Sequence, residues 1–262
     1  MSTILINTAF GSGGVDDQTF EDLKNNRLIV AQRLANDRGL DPSNIDADGF
    51  PVGYGKINQA VLIPAFLAAY SGQNPETVPL AATRETPLPN WALQYTGLMK
   101  TKLFKKYFQR FSIAHGYRAS HTLNNFQTNL NYDQTMPNQL DQGGNFLNET
   151  LYTNINLVEQ FNPLIKVDFE LKNSFQFNAE IKRDRALSLS LDNNLLTETS
   201  GKELIIGTGY RIKSVPFRTN LGGKRTTLKG DINIKGDLSI RDNITIVRNL
   251  DLLNNQVTSS SW

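Results

Sequence analysis

From Pro163 to Leu191 apolar and polar residues alternate almost one for one. Ile165, Val167, Phe169 and Leu171 are apolar, and Lys166, Asp168, Glu170 and Lys172 between them carry charge. Successive side chains of a strand point to opposite faces, so the pattern writes one apolar face and one wet face. Odd positions stay apolar through Phe175, Phe177 and Ile181 to Leu191, with breaks at Asn173 and from Arg183 to Arg185. A two-residue turn near Lys172 would set a charge beside Phe175. A three-residue turn over Lys172–Ser174 instead puts Leu171 opposite Phe175 and keeps the parity. The same reasoning predicts a second three-residue turn over Arg183–Arg185, with Lys182 opposite Ala186. Strands bounded in this way are about nine residues long, near the ~9–11 that a tilted strand needs to cross a bilayer.

Other stretches fill in the order of elements. Thr19 to Asp22 reads as a capping box, and Phe20, Leu23, Leu28, Ala31 and Leu34 recur at roughly helical spacing before Gly39. A second short helix is expected after Pro64, since proline favours the first helical position. Residues 41–54 and the proline-rich 74–90 read as loops. From Trp91 the pattern turns to strands. Trp91, Leu93, Tyr95 and Met99 share one parity, and Phe111, Ile113 and Tyr117 form another short run. A polar loop over residues 133–148 precedes further strands, in which Leu204, Ile206, Tyr210 and Ile212 alternate, as do Ile232, Ile234, Leu238 and Ile240. This divides the chain into a mixed helix and loop segment, 1–90, and an antiparallel β segment, 91–262.

Composition narrows the setting. Hydrophobic residues make up 39% and charged residues 20% of the 262, which is the look of a barrel whose strands meet lipid only at alternate positions. A net charge of +2 is too small to imply nucleic acid from bulk electrostatics. Cysteine is absent, which removes disulfides, thiolate metal sites and cysteine nucleophiles. No apolar run reaches the length of a membrane-spanning helix, and residues 1–7 do not read as a signal peptide. A barrel reading therefore makes this sequence a portion of something longer, an incomplete barrel.

Chemistry-bearing motifs are few. The glycine-rich run at Gly11–Gly14 lacks the Lys-Ser/Thr that a phosphate cradle needs, and reads as a loop. His115 and His121 are the only histidines, six apart on an expected strand, and make no metal site by themselves. No nucleophile elbow accompanies the Ser, His and Asp residues, so neither a catalytic residue nor a cofactor is assigned. Lys100–Arg110 interleaves five basic residues with Leu103, Phe104, Tyr107 and Phe108. Such a segment suits a membrane interface, a nucleic-acid surface or a solvated loop; the flanking strands favour the interface over nucleic acid and leave the solvated loop open.

Read in order, several stretches resemble the SprA/Sov family, the giant outer-membrane translocon of the type IX secretion system in Bacteroidota. They are NNRLIVAQRLA (25–35), GFPVGYGKINQAVLIPAFLAAYSG (49–72), PLPNWALQYTGLMK (87–100), FKKYFQRFSIAHGYRASHTLNNFQTNLNY (104–132), 162–213 and LKGDINIKGDLSIRDNITIVRNLDLLNNQVT (228–258). The resemblance is collinear, covers nearly the whole chain and corresponds to a C-terminal portion of the family. It implies a mainly β fold: an antiparallel segment of a very large transmembrane β-barrel, with short helices and long loops in the N-terminal third. It further implies a protein-conducting channel of the outer membrane without enzymatic activity, associated with cell-surface export and gliding motility. Expected partners are the rest of the barrel, a PorV-like barrel, a periplasmic plug protein, secreted cargo proteins and the lipid bilayer, and no nucleic acid. Under this expectation Lys166, Asp168, Glu170, Lys172, Gln176, Asn178, Glu180 and Lys182 face the lumen. Ile165, Val167, Phe169, Leu171, Phe175, Phe177 and Ile181 face lipid. The competing expectation is a soluble β-rich binding or adhesion protein of the cell envelope, with the apolar parity buried between two sheets.

Overall fold

The computed structural model describes residues 17–82, 90–221 and 224–261. The glycine run at 11–14 and the prolines at 87 and 89 lie outside them. Helix α1 spans Gln18–Asp37 and α2 spans Gln59–Ser71. Seven strands follow: β1 (Trp91–Tyr95), β2 (Phe108–Thr128), β3 (Thr150–Leu171), β4 (Phe175–Ser190), β5 (Leu195–Leu221), β6 (Lys224–Asn249) and β7 (Asn255–Ser261). They form one antiparallel meander in chain order, an open sheet rather than a closed barrel. A short α3, Lys102–Tyr107, joins β1 to β2 after a 3₁₀ turn over Gly97–Lys100. Met99 therefore leaves the strand parity of Trp91, Leu93 and Tyr95.

Both long helices start earlier than the sequence pattern suggests. Asp17, not Thr19, caps α1: its carboxylate accepts from the Thr19 N–H at 2.9 Å, which satisfies one of the orphan donors of the first turn. Leu28 points outward at 38% exposure, off the stripe of Phe20, Leu23, Val30 and Ala31. Asn58 caps α2 by accepting from Ala60 N–H at 2.9 Å, so Pro64 sits inside the helix instead of at its start. A proline there costs a backbone hydrogen bond. Burial offsets that cost, because every residue from Val61 to Ser71 is buried. Gly72, at φ 60°, ends α2 in the left-handed conformation that glycine adopts without a Cβ penalty.

The β3–β4 turn falls at Lys172–Ser174, as the parity argument predicts. Ser174 N–H donates to Leu171 O at 2.9 Å, Ser174 takes φ 70°, and Asn173 Oδ1 accepts from Phe175 N–H at 3.1 Å. Register then runs Glu170↔Gln176, Phe169↔Phe177, Lys166↔Glu180. The second predicted turn does not exist. β4 passes straight through Arg183–Arg185, and the strands are far longer than nine residues: 22 in β3, 16 in β4, 27 in β5 and 26 in β6. An unbroken strand and a three-residue turn give the same parity, so alternation could not separate them. β3 absorbs two extra residues between Phe161↔Arg183 and Ile165↔Ile181, at a bulge holding Pro163, which has no N–H to give the ladder. Because the insertion is even, odd positions keep one face along all of β3.

Helices α1 and α2 lie on that odd face at the end of the sheet away from the Lys172 turn. Their core joins Phe20, Leu23, Leu62, Phe66 and Tyr70 to Ile155, Leu157, Leu187, Leu189 and Leu196. Arg27 ties α1 to the end of β6 by donating to Leu250 O at 2.9 Å.

Candidate functional site

The pleat of β3 and β4 puts the predicted lumen set and the predicted lipid set on opposite sides of the sheet. Lys166, Asp168 and Glu170 stand directly opposite Glu180, Asn178 and Gln176 on one face, with Lys182 continuing that row. Lys172 is the exception. It lies in the turn, exposed, with its N–H donating to Tyr107 O at 3.1 Å. The other face carries Ile165, Val167, Phe169, Leu171, Phe175, Phe177 and Ile181.

The polar face is a lattice of alternating charge. Arg110 meets Asp168 at 2.6 Å, Lys166 meets Glu180 at 3.1 Å, and Lys182 meets Glu203 at 3.4 Å. Arg241 reaches Asp184 at 3.5 Å and Glu203 at 4.0 Å, and Ser239 Oγ donates to Glu203 at 2.9 Å. β5 makes room for this layer at Gly207, where a Cβ would sit 2.0 Å from Asn178 Oδ1 and 2.1 Å from Asp237 Oδ1. The face is not uniformly solvated. Glu170 is buried at 6% exposure, flanked across the ladder by Arg110 and Gln176. With most of its charges set beside the opposite sign, the surface offers hydration without a strong net field that would select one charged ligand.

The apolar face divides along the strand axis. Toward the Lys172 turn it is bare. Ile165, Ile181, Leu204 and Ile206 are about two-fifths exposed, and Ile234, Leu238 and Ile240 more than half. An aromatic row crosses α3, β2, β3 and β4 near the turn end: Phe104 stacks on Phe108 at 5.1 Å, Phe108 meets Phe169 edge-on at 5.3 Å, and Phe169 stacks on Phe177 at 5.1 Å. On β5 and β6 the apolar face runs on past it through Ile212, Phe217, Leu228 and Ile232. A second group, Trp91, Tyr117 and Phe161, stands at the other margin, with ring centroids 4.6 and 5.1 Å apart. The two rows are separated by about six pleated residues, or ~20 Å at 3.3 Å per residue.

Past the second row the same face is covered by α1 and α2, and charges appear inside it. Glu159 and Arg185, both nearly inaccessible, pair at 3.0 Å, and Tyr117 Oη donates to Glu159 at 2.6 Å. Arg248 lies 3.4 Å from Glu198 and 3.7 Å from Asp17, with its guanidinium 4.9 Å from the Phe20 ring. Burial pushes the Tyr70 phenol on α2 well above its ordinary value, which keeps it protonated. Of these five charged residues the sequence pattern drew attention to Arg185 alone, and there as the end of a turn instead of a buried partner. Their signal was present all the same: Arg185 and Glu198 interrupt runs of leucine at same-face positions, where a strand with a solvent-free face needs a partner for any charge.

The histidines do not converge on a site. His115 Nδ1 lies 2.6 Å from Leu164 O, and His121 is further along β2 opposite Leu157. Among the described residues no group of three His, Cys, Asp or Glu is placed to hold a metal ion. A cleft of about 340 Å³ at the β3 bulge, lined by Trp91, Gly116, Arg118 and Asn162, brings together no nucleophile and base. No helix among the described residues is long and apolar enough to cross a membrane. Compared with protein-family models and with curated proteins, the chain matches none of them.

Proposed function

We propose that this chain forms part of the wall of an outer-membrane protein-conducting channel of the type IX secretion kind, with its charged face toward the aqueous lumen and its bare apolar band toward lipid. The observation that carries the reading is one sheet with an exposed apolar band directly behind a neutral lattice of paired charges. Water on the apolar side would leave it costly: each large aliphatic side chain moved out of water is worth about 1.5–3 kcal/mol. Exposed patches of this extent mark membrane or protein contact. The open edges β1 and β7 fit pairing with the rest of a barrel, since hydrocarbon tolerates no unpaired strand edge. The lumen side would pass folded cargo without retaining it, because paired charges hold water and leave few apolar footholds, Val158 among them. No enzymatic step belongs to this role. A receiving PorV-like barrel and a periplasmic plug are the partners that the sequence resemblance implies.

Cell fractionation tests the proposal. Enrichment in the outer membrane and a need for detergent to keep the chain dispersed are the expected results. A monodisperse, detergent-free monomer in the soluble fraction would overturn it. One observation favours the second reading, a soluble β-rich envelope protein: α1 and α2 already cover part of the apolar face as a second layer, as in an ordinary two-layer domain.

A further inference from the structure

We propose that the turn end of the sheet, built from α3 and the start of β2, is a membrane-surface anchor for anionic phospholipid; this rests on the wall reading above. Charge is segregated among the chain segments at the two ends of the sheet, although Asp168 sits beside Arg110 at one end and Lys56 pairs with Asp251 at the other. At the turn end, residues 96–110 hold Lys100, Lys102, Lys105, Lys106 and Arg110 and no acid. Residues 211–229, the distal parts of β5 and β6, hold six basic residues and no acid. The opposite end reverses this. The connections 129–149, 191–194 and 250–254 carry Asp133, Asp141, Glu149, Asp192 and Asp251 and no Lys or Arg.

The local geometry of α3 matches a headgroup layer. Lys100, Lys102, Lys105 and Lys106 are exposed, and among the described residues no carboxylate pairs with them. Beside them Leu103 is 64% and Tyr107 51% exposed, while Phe104 turns down onto Phe108 and Phe111 at 5.1 and 4.9 Å. Aromatics at the rim of an apolar band, with lysine stems running outward from it, place ammonium groups at phosphate depth. The side of the membrane follows from loop length. Spanning barrels keep short turns at the periplasmic end and long loops outside. Here the basic end holds the three-residue turn at Lys172 and the connection 96–107 that carries α3, and the acidic end holds two short turns, 191–194 and 250–254, and the longest connection, 129–149. That longest connection sets the acidic end outside. The leaflet beside a periplasmic turn is phospholipid, so phosphatidylglycerol-type headgroups are the occupant rather than lipopolysaccharide.

The test is co-flotation of the full chain, diluted from detergent, with three kinds of vesicle: phosphatidylcholine, phosphatidylcholine with roughly one third phosphatidylglycerol, and phosphatidylcholine with lipopolysaccharide. The chain is expected to prefer the phosphatidylglycerol vesicles. Lys102→Gln/Lys105→Gln/Lys106→Gln should weaken binding to those vesicles on the order of 100-fold, leave neutral vesicles unaffected and preserve the β circular-dichroism signal. The triple Lys→Arg variant should retain the preference, and added salt should erode it. Equal binding to neutral and anionic vesicles, indifferent to the triple Gln variant, would overturn the anchor and leave the membrane wall standing. Preference for lipopolysaccharide over phosphatidylglycerol would overturn the choice of leaflet. Failure to float with any vesicle would overturn the wall reading, and the anchor with it.

Discussion

The odd face of β3 and β4 solves the same problem in two ways within one pair of strands. Near the Lys172 turn its side chains are aliphatic and aromatic and half bare. Beyond Phe161 they are covered by α1 and α2, and there the face contains Glu159 and Arg185, joined on the same side of β5 and β6 by Glu198 and Arg248. A charge needs partners or water, and hydrocarbon supplies neither. Ion pairs can therefore exist only where the protein itself closes over the strands. Among the described residues the bare zone contains no such pair and the covered zone several, which separates a face sealed by protein from one that no part of this chain covers.

Five substitutions would break or sharpen this contrast. The largest effect is expected in the covered half. Glu159→Leu removes the carboxylate from buried Arg185 and should cost about 3–5 kcal/mol of unfolding free energy in denaturant titration. Adding Arg185→Met should restore most of it, since an apolar pair of similar volume needs no desolvation. A small effect of the single substitution would mean that the helix layer admits water. In the bare half, Ile206 sits between Ala179 and Leu238 on the neighbouring strands. Ile206→Arg should cost about 2–4 kcal/mol for stability in a bilayer and almost nothing in solution without lipid. Equal penalties in both media would show that protein, not lipid, covers this band. Asn58→Ala, which uncaps α2, should lower stability by about 1 kcal/mol in either medium. The smallest change belongs to the polar face. Lys166→Gln loses a partly exposed pair with Glu180, worth roughly 0.2–1 kcal/mol and screened by salt. A several-fold larger loss would argue for a dry interface there instead of a lumen.

Much of this architecture was legible in the residue pattern. Alternation alone separated Lys166, Asp168 and Glu180 from Ile165, Phe169 and Ile181, because pleat geometry leaves a strand residue only two directions. The turn at Lys172–Ser174 was legible too, since a two-residue turn would have set a charge beside Phe175. The helix starts were not, because Asp17 and Asn58 act through short side-chain bonds that compete with equally plausible caps nearby. Arg183 and Arg185 misled the reading for a different reason. In sequence an arginine among leucines looks like a turn, and only its neighbour across the ladder, Glu159 on β3, explains how it stays inside a strand.

The sequence by itself determined that the chain is mainly β, that its long strands have one charged and one apolar face, and that its basic and aromatic residues gather around Lys100–Arg110. Local rules suffice for that, because alternation and composition act over a few residues. Only the tertiary structure decided how long the strands run, where α1 and α2 settle and which charges are buried beneath them. Those outcomes depend on contacts between residues far apart in the chain, such as Asp17 with Arg248 and Arg27 with Leu250. No window of sequence contains both members of such a pair, so the division of one apolar face into a bare band and a covered core was visible only in three dimensions.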